Sequence, residues 1–276
     1  MIILILLVAV GLSVIMTLAW AYQRRVNNAG WVDVFWTAGL GLAGVAVSLA
    51  PIPGTSGPTS RQELIALMVA VWAIRLGSYL GLRVAHHAED VRYNDFRRSW
   101  GENFQRRMFW FLQIQAAAAI LLAICILLAA RHPASGVRLV DWVGALILAI
   151  AIGGEGLADS QLKRFRANPA NKGGICDIGL WSWSRHPNYF FEWLVWTAFA
   201  VMAIDFTGAY LWGWLALFGP LSMYWLLVYV SGIPPLETLM LKSRGDAYRR
   251  YQATTHAFFP LPPRRHGSTP AKTAHP

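Results

Sequence analysis

The sequence predicts an all-α, polytopic membrane protein of about seven transmembrane helices, with its N-terminus outside and its C-terminus in the cytosol. Three observations lead there. Apolar residues fill 56% of the 276 positions and charged residues only 14%, against about 25% charged in soluble domains. The apolar residues gather into runs at 1–22, 33–50, 64–84, 109–130, 139–158, 189–204 and 208–230, each near the ~20 helical residues that cross a hydrocarbon core. Finally, with the N-terminus outside, 20 of the 24 Lys and Arg fall in cytosolic segments, as the positive-inside rule requires. The net charge of +10 then follows from topology and from anionic lipid heads, and nucleic-acid binding is not needed to explain it.

The first run contains Ala19-Trp20-Ala21, which looks like a cleavage site. However, no cation precedes the run and Arg24 and Arg25 follow it, the reverse of a signal peptide, so it is expected to be retained. The second run opens on Trp31-Val32-Asp33. Asp33 either complements a helix N-terminus or is a pocket acid, since ionisable groups at membrane depth are costly and usually functional. Within this run Gly39-Leu40-Gly41-Leu42-Ala43-Gly44 matches G-x-G-x-x-G. It has no strand-to-helix turn around it, so close helix packing is the expected role.

Residues 51–60 form an uncharged outer loop rich in turn formers. The third run places Arg75, Tyr79 and Arg83 at i, i+4 and i+8, on one helical face. Arg83 can snorkel to the interface, whereas Arg75 lies two turns deeper and needs a partner. The segment from His86 to Arg107 alternates cations with acids and reads as a solvated amphipathic connector on the membrane. His86-His87 lacks further ligands in register, so no metal site is predicted. The run at 109–130, polar only at Gln113 and Gln115 near its inner end, is assigned to the scaffold. Cys125 and Cys176 lie at different levels, and neither a disulfide nor a zinc site is expected.

Asp141-Trp142 marks the outer end of the next helix, which runs to Glu155 and Asp159. Those acids are four residues apart, on one face at a helix C-terminus, where a carboxylate opposes the macrodipole and calls for donors. The polar segment that follows supplies Lys163, Arg164, Arg166, Asn168, Lys172 and Arg185, with Gly173, Gly174 and Gly179, and it ends at Asn188 and Glu192. Cations meet phosphates, while carboxylates and amides meet ribose hydroxyls and amides. A nucleotide-bearing cofactor is therefore the expected ligand of this stretch.

Here the chain resembles a known family. Its C-terminal half, about 150–262, is similar to the steroid 5-alpha-reductase family, and the whole chain resembles the bacterial branch of that superfamily. The resemblance rests on Asp159, Arg166, Gly179-Leu180-Trp181 and Arg185-His186-Pro187-Asn188-Tyr189-Phe190-Phe191-Glu192. It continues through Glu237, Arg244-Gly245-Asp246-Ala247-Tyr248-Arg249-Arg250-Tyr251 and Phe259-Pro260. Seven residues separate Asp159 from Arg166, 22 more reach Asn188 and four more reach Glu192, without gaps. The resemblance implies a multi-pass inner-membrane reductase holding NADPH from the cytoplasmic side. By it, Asp159, Arg166, Asn188 and Glu192 contact the cofactor, with Glu155, Asn168, Lys172, Arg185, His186, Tyr189, Glu237 and Tyr248 around them. It also divides the chain into a substrate-side region, 1–149, a cofactor-binding region, 150–262, and a disordered tail, 263–276.

The chain departs from the family at Phe191, where reductases usually carry Gly, and in Asn168-Pro169-Ala170-Asn171-Lys172-Gly173-Gly174, which replaces a Pro-Gly-Glu-x-x-Tyr loop. The Gln-Glu pair that steroid reductases use at the substrate has only Asp33 as a rough positional counterpart, and their tyrosine in the last cytosolic segment has no clear equivalent. Arg-His-Pro-x-Tyr also occurs in methyltransferases related to isoprenylcysteine carboxyl methyltransferase, which use S-adenosylmethionine; Asn188 followed by Glu192 fits the reductase side. A scaffold or transporter is the third reading, but inverted repeats are not found.

The expected reaction is hydride transfer from NADPH to the β-carbon of a carbon–carbon double bond conjugated to a carbonyl. The substrate is expected to be lipophilic and to enter from the bilayer: a sterol, polyprenoid or fatty acyl enone. Arg75, Tyr79 or a protonated Asp33 would stabilise the developing oxyanion.

Overall fold

The computed structural model describes residues 1–86, 89–134 and 136–264. From residue 265 onward the predicted tail lies outside them, as does His87. Regular structure among the described residues is helical, apart from an isolated bridge between Ser184 and His256. In chain order the helices are α1 (Ile2–Val26), α2 (Trp31–Leu49), α3 (Ser60–His86), α4 (Val91–Trp100), α5 (Phe104–Ala130) and α6 (Leu139–Ala167). They continue with α7 (Leu180–Trp183), α8 (Pro187–Ala203), α9 (Phe218–Trp225), α10 (Ile233–Arg244) and α11 (Asp246–Thr254).

Six stretches among the described residues are long and apolar enough to cross a membrane: α1, α2, α3, Arg92–Ala130, α6 and Leu211–Arg244. The chain is thus an all-α polytopic membrane protein, with six such stretches where about seven were expected. The difference lies in the run at 189–204, since the run at 208–230 falls within Leu211–Arg244. Helix α8 has 17 residues, about 25 Å at 1.5 Å per residue, short of a ~30 Å hydrocarbon core. The chain turns just beyond it, where the Asp205 carboxylate accepts from the Thr207 N–H at 3.1 Å, the Thr207 hydroxyl at 2.7 Å and the Tyr210 N–H at 3.0 Å. The run at 208–230 is not one α-helix either. It is a 3₁₀ stretch over Leu211–Leu217, then α9, then a π-helical turn over Leu226–Val230.

The chain divides into two compact units. The first comprises Met1–Ile152 and Trp193–Trp225, and the second comprises Gly153–Glu192 and the chain from Leu226 onward. The cut at Ile152 lies close to the boundary drawn from sequence at 149, but 193–225 returns to the first unit. The first unit is therefore assembled from two separate pieces of chain.

In the first unit α2 packs against α1, α3 and α5. The glycine triplet makes this possible. A Cβ on Gly41 would run into Ala73, and one on Gly44 would lie 2.8 Å from Val69 and 2.9 Å from Ile126. The G-x-G-x-x-G match is thus a packing device, as small residues are in membrane helices. Hydrogen bonds tie α1 to α5: Trp20 Nε1 donates to the Gln105 carbonyl at 2.9 Å, Gln23 Nε2 to Gln105 Oε1 at 2.8 Å, and Ser13 Oγ to Gln113 Oε1 at 2.7 Å. Trp72 and Trp196, both fully buried, meet edge to face at 5.3 Å.

The same unit contains a buried ionic knot. Arg61 pairs with Asp141, their side chains 1% and 0% exposed. Arg61 Nε also donates to the Ala129 carbonyl at 2.9 Å, and its Nη2 to the Met202 carbonyl. Arg138 closes the knot through its N–H to Asp141 Oδ2 at 2.7 Å and its Nη2 to the Met202 carbonyl at 2.6 Å. Each charge placed in this dry environment is answered by a partner, which is the condition for burying it at all.

Candidate functional site

All twelve residues that the sequence assigned to a cofactor lie in the second unit, on the C-terminal half of α6, the loop after it, the start of α8 and the chain from α10 to α11. Helical register does the first part of the assembly. Glu155, Asp159 and Arg166 are spaced by four and seven residues on α6, so they form one stripe about 16 Å long. Both acids are buried, whereas Arg166 is exposed. On α8, Asn188 and Glu192 repeat the four-residue spacing, with Glu192 buried.

The chain between α6 and α8 is held by specific bonds. Asn168 Oδ1 accepts from the Ala170 N–H at 3.0 Å, and Asn171 Nδ2 donates to the Phe165 carbonyl at 3.0 Å. These set the turn that leads to Gly173, whose φ of +81° suits glycine. A Cβ on Gly173 would stand 3.7 Å from Arg244 Nη1, so this arginine of α10 flanks the glycine loop. Downstream, the Leu180 N–H donates to Gln161 Oε1 at 2.9 Å and Trp181 Nε1 to the Ala158 carbonyl at 2.9 Å. Gly179 makes that approach possible, since a Cβ there would collide with the Gln161 side chain. Desolvation in this segment raises the pKa of the buried Cys176 thiol.

The departure at Phe191 has a structural counterpart. Its ring lies over Gly154 on α6, where any Cβ would clash with it. The bulk added on α8 is accommodated by the missing side chain on α6, next to Glu155.

Arg185 and His186 are engaged by the end of the chain. Arg185 Nε donates to Glu237 Oε1 at 2.7 Å and His186 Nε2 donates to the same oxygen at 3.1 Å, while Gln252 Nε2 donates to Oε2 at 2.7 Å. Arg185 also donates through its backbone N–H to the His256 carbonyl at 2.8 Å and through its guanidinium to the carbonyls of Thr255 and Gln252. Ser184 Oγ reaches the Phe258 carbonyl at 2.8 Å, the Tyr251 hydroxyl donates to the Trp181 carbonyl, and Phe190 packs on Phe258 and Phe259. Burial lowers the pKa of His186 despite the Glu237 carboxylate, so the ring is a neutral donor. Burial likewise raises the phenols of Tyr248 and Tyr251. Tyr189 stacks on His186 at 5.4 Å.

The cations of this unit thus fall into two groups. Arg185 is spent on Glu237 and on backbone carbonyls. Lys163, Arg164, Arg166 and Lys172 are exposed, and none has an ion-pair partner among the described residues. Of the residues predicted from sequence, Arg166 and Lys172 are thus exposed without an ion pair among the described residues, and Arg244, quoted from sequence only as part of the tail motif, stands beside Gly173. The tail motif does not by itself tie Arg244 to Gly173; the fold brings it to the loop.

The three catalytic candidates, Asp33, Arg75 and Tyr79, lie in the first unit. The Arg75 guanidinium sits 5.6 Å from the centre of the Tyr79 ring and that of Arg83 at 5.9 Å, so the predicted face of α3 is a cation–aromatic–cation ladder. Asp33 accepts from the Tyr93 hydroxyl at 2.7 Å and pairs with Arg92 at 2.9 Å. Arg92 and Tyr93 belong to the segment expected to be a solvated connector, and that expectation needs correcting. Tyr93 is buried, Glu89 accepts from the Ala29 N–H at 2.7 Å and pairs with Arg97 at 3.0 Å, and Asp90 caps α4 while pairing with Arg92 at 3.0 Å. The segment clamps the α1–α2 turn. Its alternating charges resemble a solvated face in sequence because their partners, Ala29 and Asp33, lie some sixty residues earlier.

A family model described as "Protein of unknown function (DUF1295)" matches residues 19–255. Among curated proteins and solved structures the chain has no match. The match spans most of the chain and includes every candidate residue above, so the protein belongs to the DUF1295 family.

Proposed function

We propose that this DUF1295 protein is an integral-membrane, NADPH-dependent reductase of a conjugated carbon–carbon double bond in a lipophilic substrate. The observation that carries the reading is the division of labour in the second unit. Buried acids lie on one helical stripe with an exposed Arg166, the cations Lys163, Arg164 and Lys172 are left uncommitted, and Gly173 brings a backbone turn beside Arg244. This donor set fits a dinucleotide: guanidinium and ammonium groups for phosphates, carboxylates and the Asn188 amide for ribose hydroxyls and the nicotinamide carboxamide. The resemblance of Asp159, Arg166, Asn188 and Glu192 to the steroid 5-alpha-reductase pattern supports the same assignment.

When bound, NADPH supplies a hydride to the β-carbon of the enone. The protein's part is to hold the cofactor and to stabilise the negative charge that develops on the carbonyl oxygen. Arg75 and Tyr79 are the proposed donors to that oxygen. The α-carbon then takes a proton from water. The substrate is a sterol-, polyprenoid- or acyl-type enone entering from the bilayer, and the cofactor enters from the cytoplasm.

S-adenosylmethionine-dependent methyl transfer is the competing reading, supported by the shared Arg-His-Pro-x-Tyr segment. The two are separated by titrating the purified protein in detergent with NADPH and with S-adenosylmethionine, following intrinsic fluorescence. Saturable NADPH binding with no response to S-adenosylmethionine is expected; the opposite pattern would overturn the reductase assignment.

A further inference from the structure

The first unit carries a ligand-sized feature, remote in sequence from the acid stripe and not used by the proposed reaction. An open groove of about 700 Å³ is lined by Trp100, Asn103, Arg106, Arg107, Trp110 and their neighbours Phe111 and Ile114. Its polarity is graded along α5. Arg106, Trp110 and Ile114 follow one another at i, i+4 and i+8, and Asn103, Arg107 and Phe111 form the adjacent stripe. Each stripe runs from polar or cationic to apolar as α5 enters its hydrophobic stretch, and Arg106 and Ile114 are about 12 Å apart along the axis. That is the order, and roughly the depth, of a phospholipid passing from its phosphate to its upper acyl chain.

The groove is also firmly built at its polar end. The chain enters it through Gly101, with φ +50°. Trp100 stacks on Phe96 at 4.6 Å and 8°, and Phe111 closes on both rings. Neither Arg106 nor Arg107 has an ion pair among the described residues, although Glu102 lies nearby in the chain. Trp110 and Ile114 are 61% and 69% exposed, on a stretch apolar enough to cross a membrane. A soluble phosphate would satisfy the arginines but would have no use for this apolar half.

We infer that this groove is a binding site for one anionic membrane phospholipid. Arg106 and Arg107 hold its phosphate, Asn103 and the indole of Trp110 lie at the glycerol level, and Phe111 and Ile114 lie along an acyl chain. The site is independent of the cofactor assignment.

The test uses the full-length protein in nanodiscs of mixed phosphatidylglycerol and phosphatidylcholine, with retained lipid measured by native mass spectrometry. Retention of phosphatidylglycerol over phosphatidylcholine is expected. An arginine near a membrane surface contributes about a five-fold preference for anionic lipid, so R106Q/R107Q should lower it about 25-fold. R249Q/R250Q, an equal charge change on α11, should leave it within two-fold, and W110A should reduce retention of both lipids. A preference that survives R106Q/R107Q, or that R249Q/R250Q lowers equally, overturns the site. So does displacement of the lipid by millimolar glycerol phosphate, which would make the occupant a soluble phosphate. Unchanged thermal unfolding of R106Q/R107Q shows that a lost preference is not lost folding.

Discussion

The Arg61–Asp141 knot and the cations at the end of α6 are both built from arginines, yet they put the charge to opposite uses. In the knot, Arg61 and Asp141 are almost wholly buried, and Arg138 and the Ala129 and Met202 carbonyls take up their remaining hydrogen bonds. Around Arg166 the cations point to water with no ion pair among the described residues. A buried charge must be satisfied within the protein, so the first arrangement is architecture. An exposed cluster of like charge beside buried acids does little for the fold, so the second is available for a ligand. Arg185 shows that a motif alone does not tell the two apart. It belongs to the most recognisable motif of the chain, yet its guanidinium is engaged by Glu237 and by tail carbonyls.

The contrast makes graded predictions. Asp141→Ala leaves Arg61 buried without its counter-charge and should cost about 3–5 kcal/mol in denaturant unfolding of the detergent-solubilised protein. Lys163→Ala, by contrast, should stay within about 0.5 kcal/mol. Comparable costs at the two positions would erase the distinction. Next comes Gly154→Ala, which overpacks the contact with Phe191 and should cost about 1–3 kcal/mol. Phe191→Gly should cost less in the Gly154→Ala background than in the parent; strictly additive costs would mean that the pair is not complementary.

The smallest effect concerns His186. Because burial lowers its pKa, the folded protein prefers the neutral ring while the unfolded chain takes up a proton near the ordinary value of 6.5. Its contribution is therefore intact above about pH 7 and declines as pH falls below 6.5, by at most about 1.4 kcal/mol per pH unit. His186→Gln keeps a donor for Glu237 but does not titrate, so it should flatten the melting temperature between pH 6.5 and 5. An unchanged slope would assign the acid sensitivity to another group.

Much of this architecture is legible in the sequence because it is local. Runs of apolar residues give the long helices through α6, and a four-residue spacing puts Glu155 and Asp159 on one face; Arg166 joins them only because α6 continues to Ala167, beyond the apolar run. What escapes is long-range. The polar pattern of residues 86–107 is that of a solvated connector until Ala29 and Asp33 are found to be its partners. The sequence pattern around Arg185 and His186 gives no hint that both bond to Glu237, some fifty residues later. The run at 208–230 is apolar enough for one span, but hydropathy does not register the 3₁₀ and π turns that break it. Composition reports the environment of a segment; the partner of a side chain depends on the fold.

The most direct test of the division between structural and available cations compares Arg166→Ala with Arg185→Ala, each measured for NADPH affinity and for melting temperature. The prediction is that Arg166→Ala weakens NADPH binding about ten- to a hundred-fold, the worth of a hydrogen bond to a charged group, with its melting temperature unchanged. Arg185→Ala should lower the melting temperature instead. An Arg166→Ala protein that binds NADPH as tightly as the parent would contradict the account.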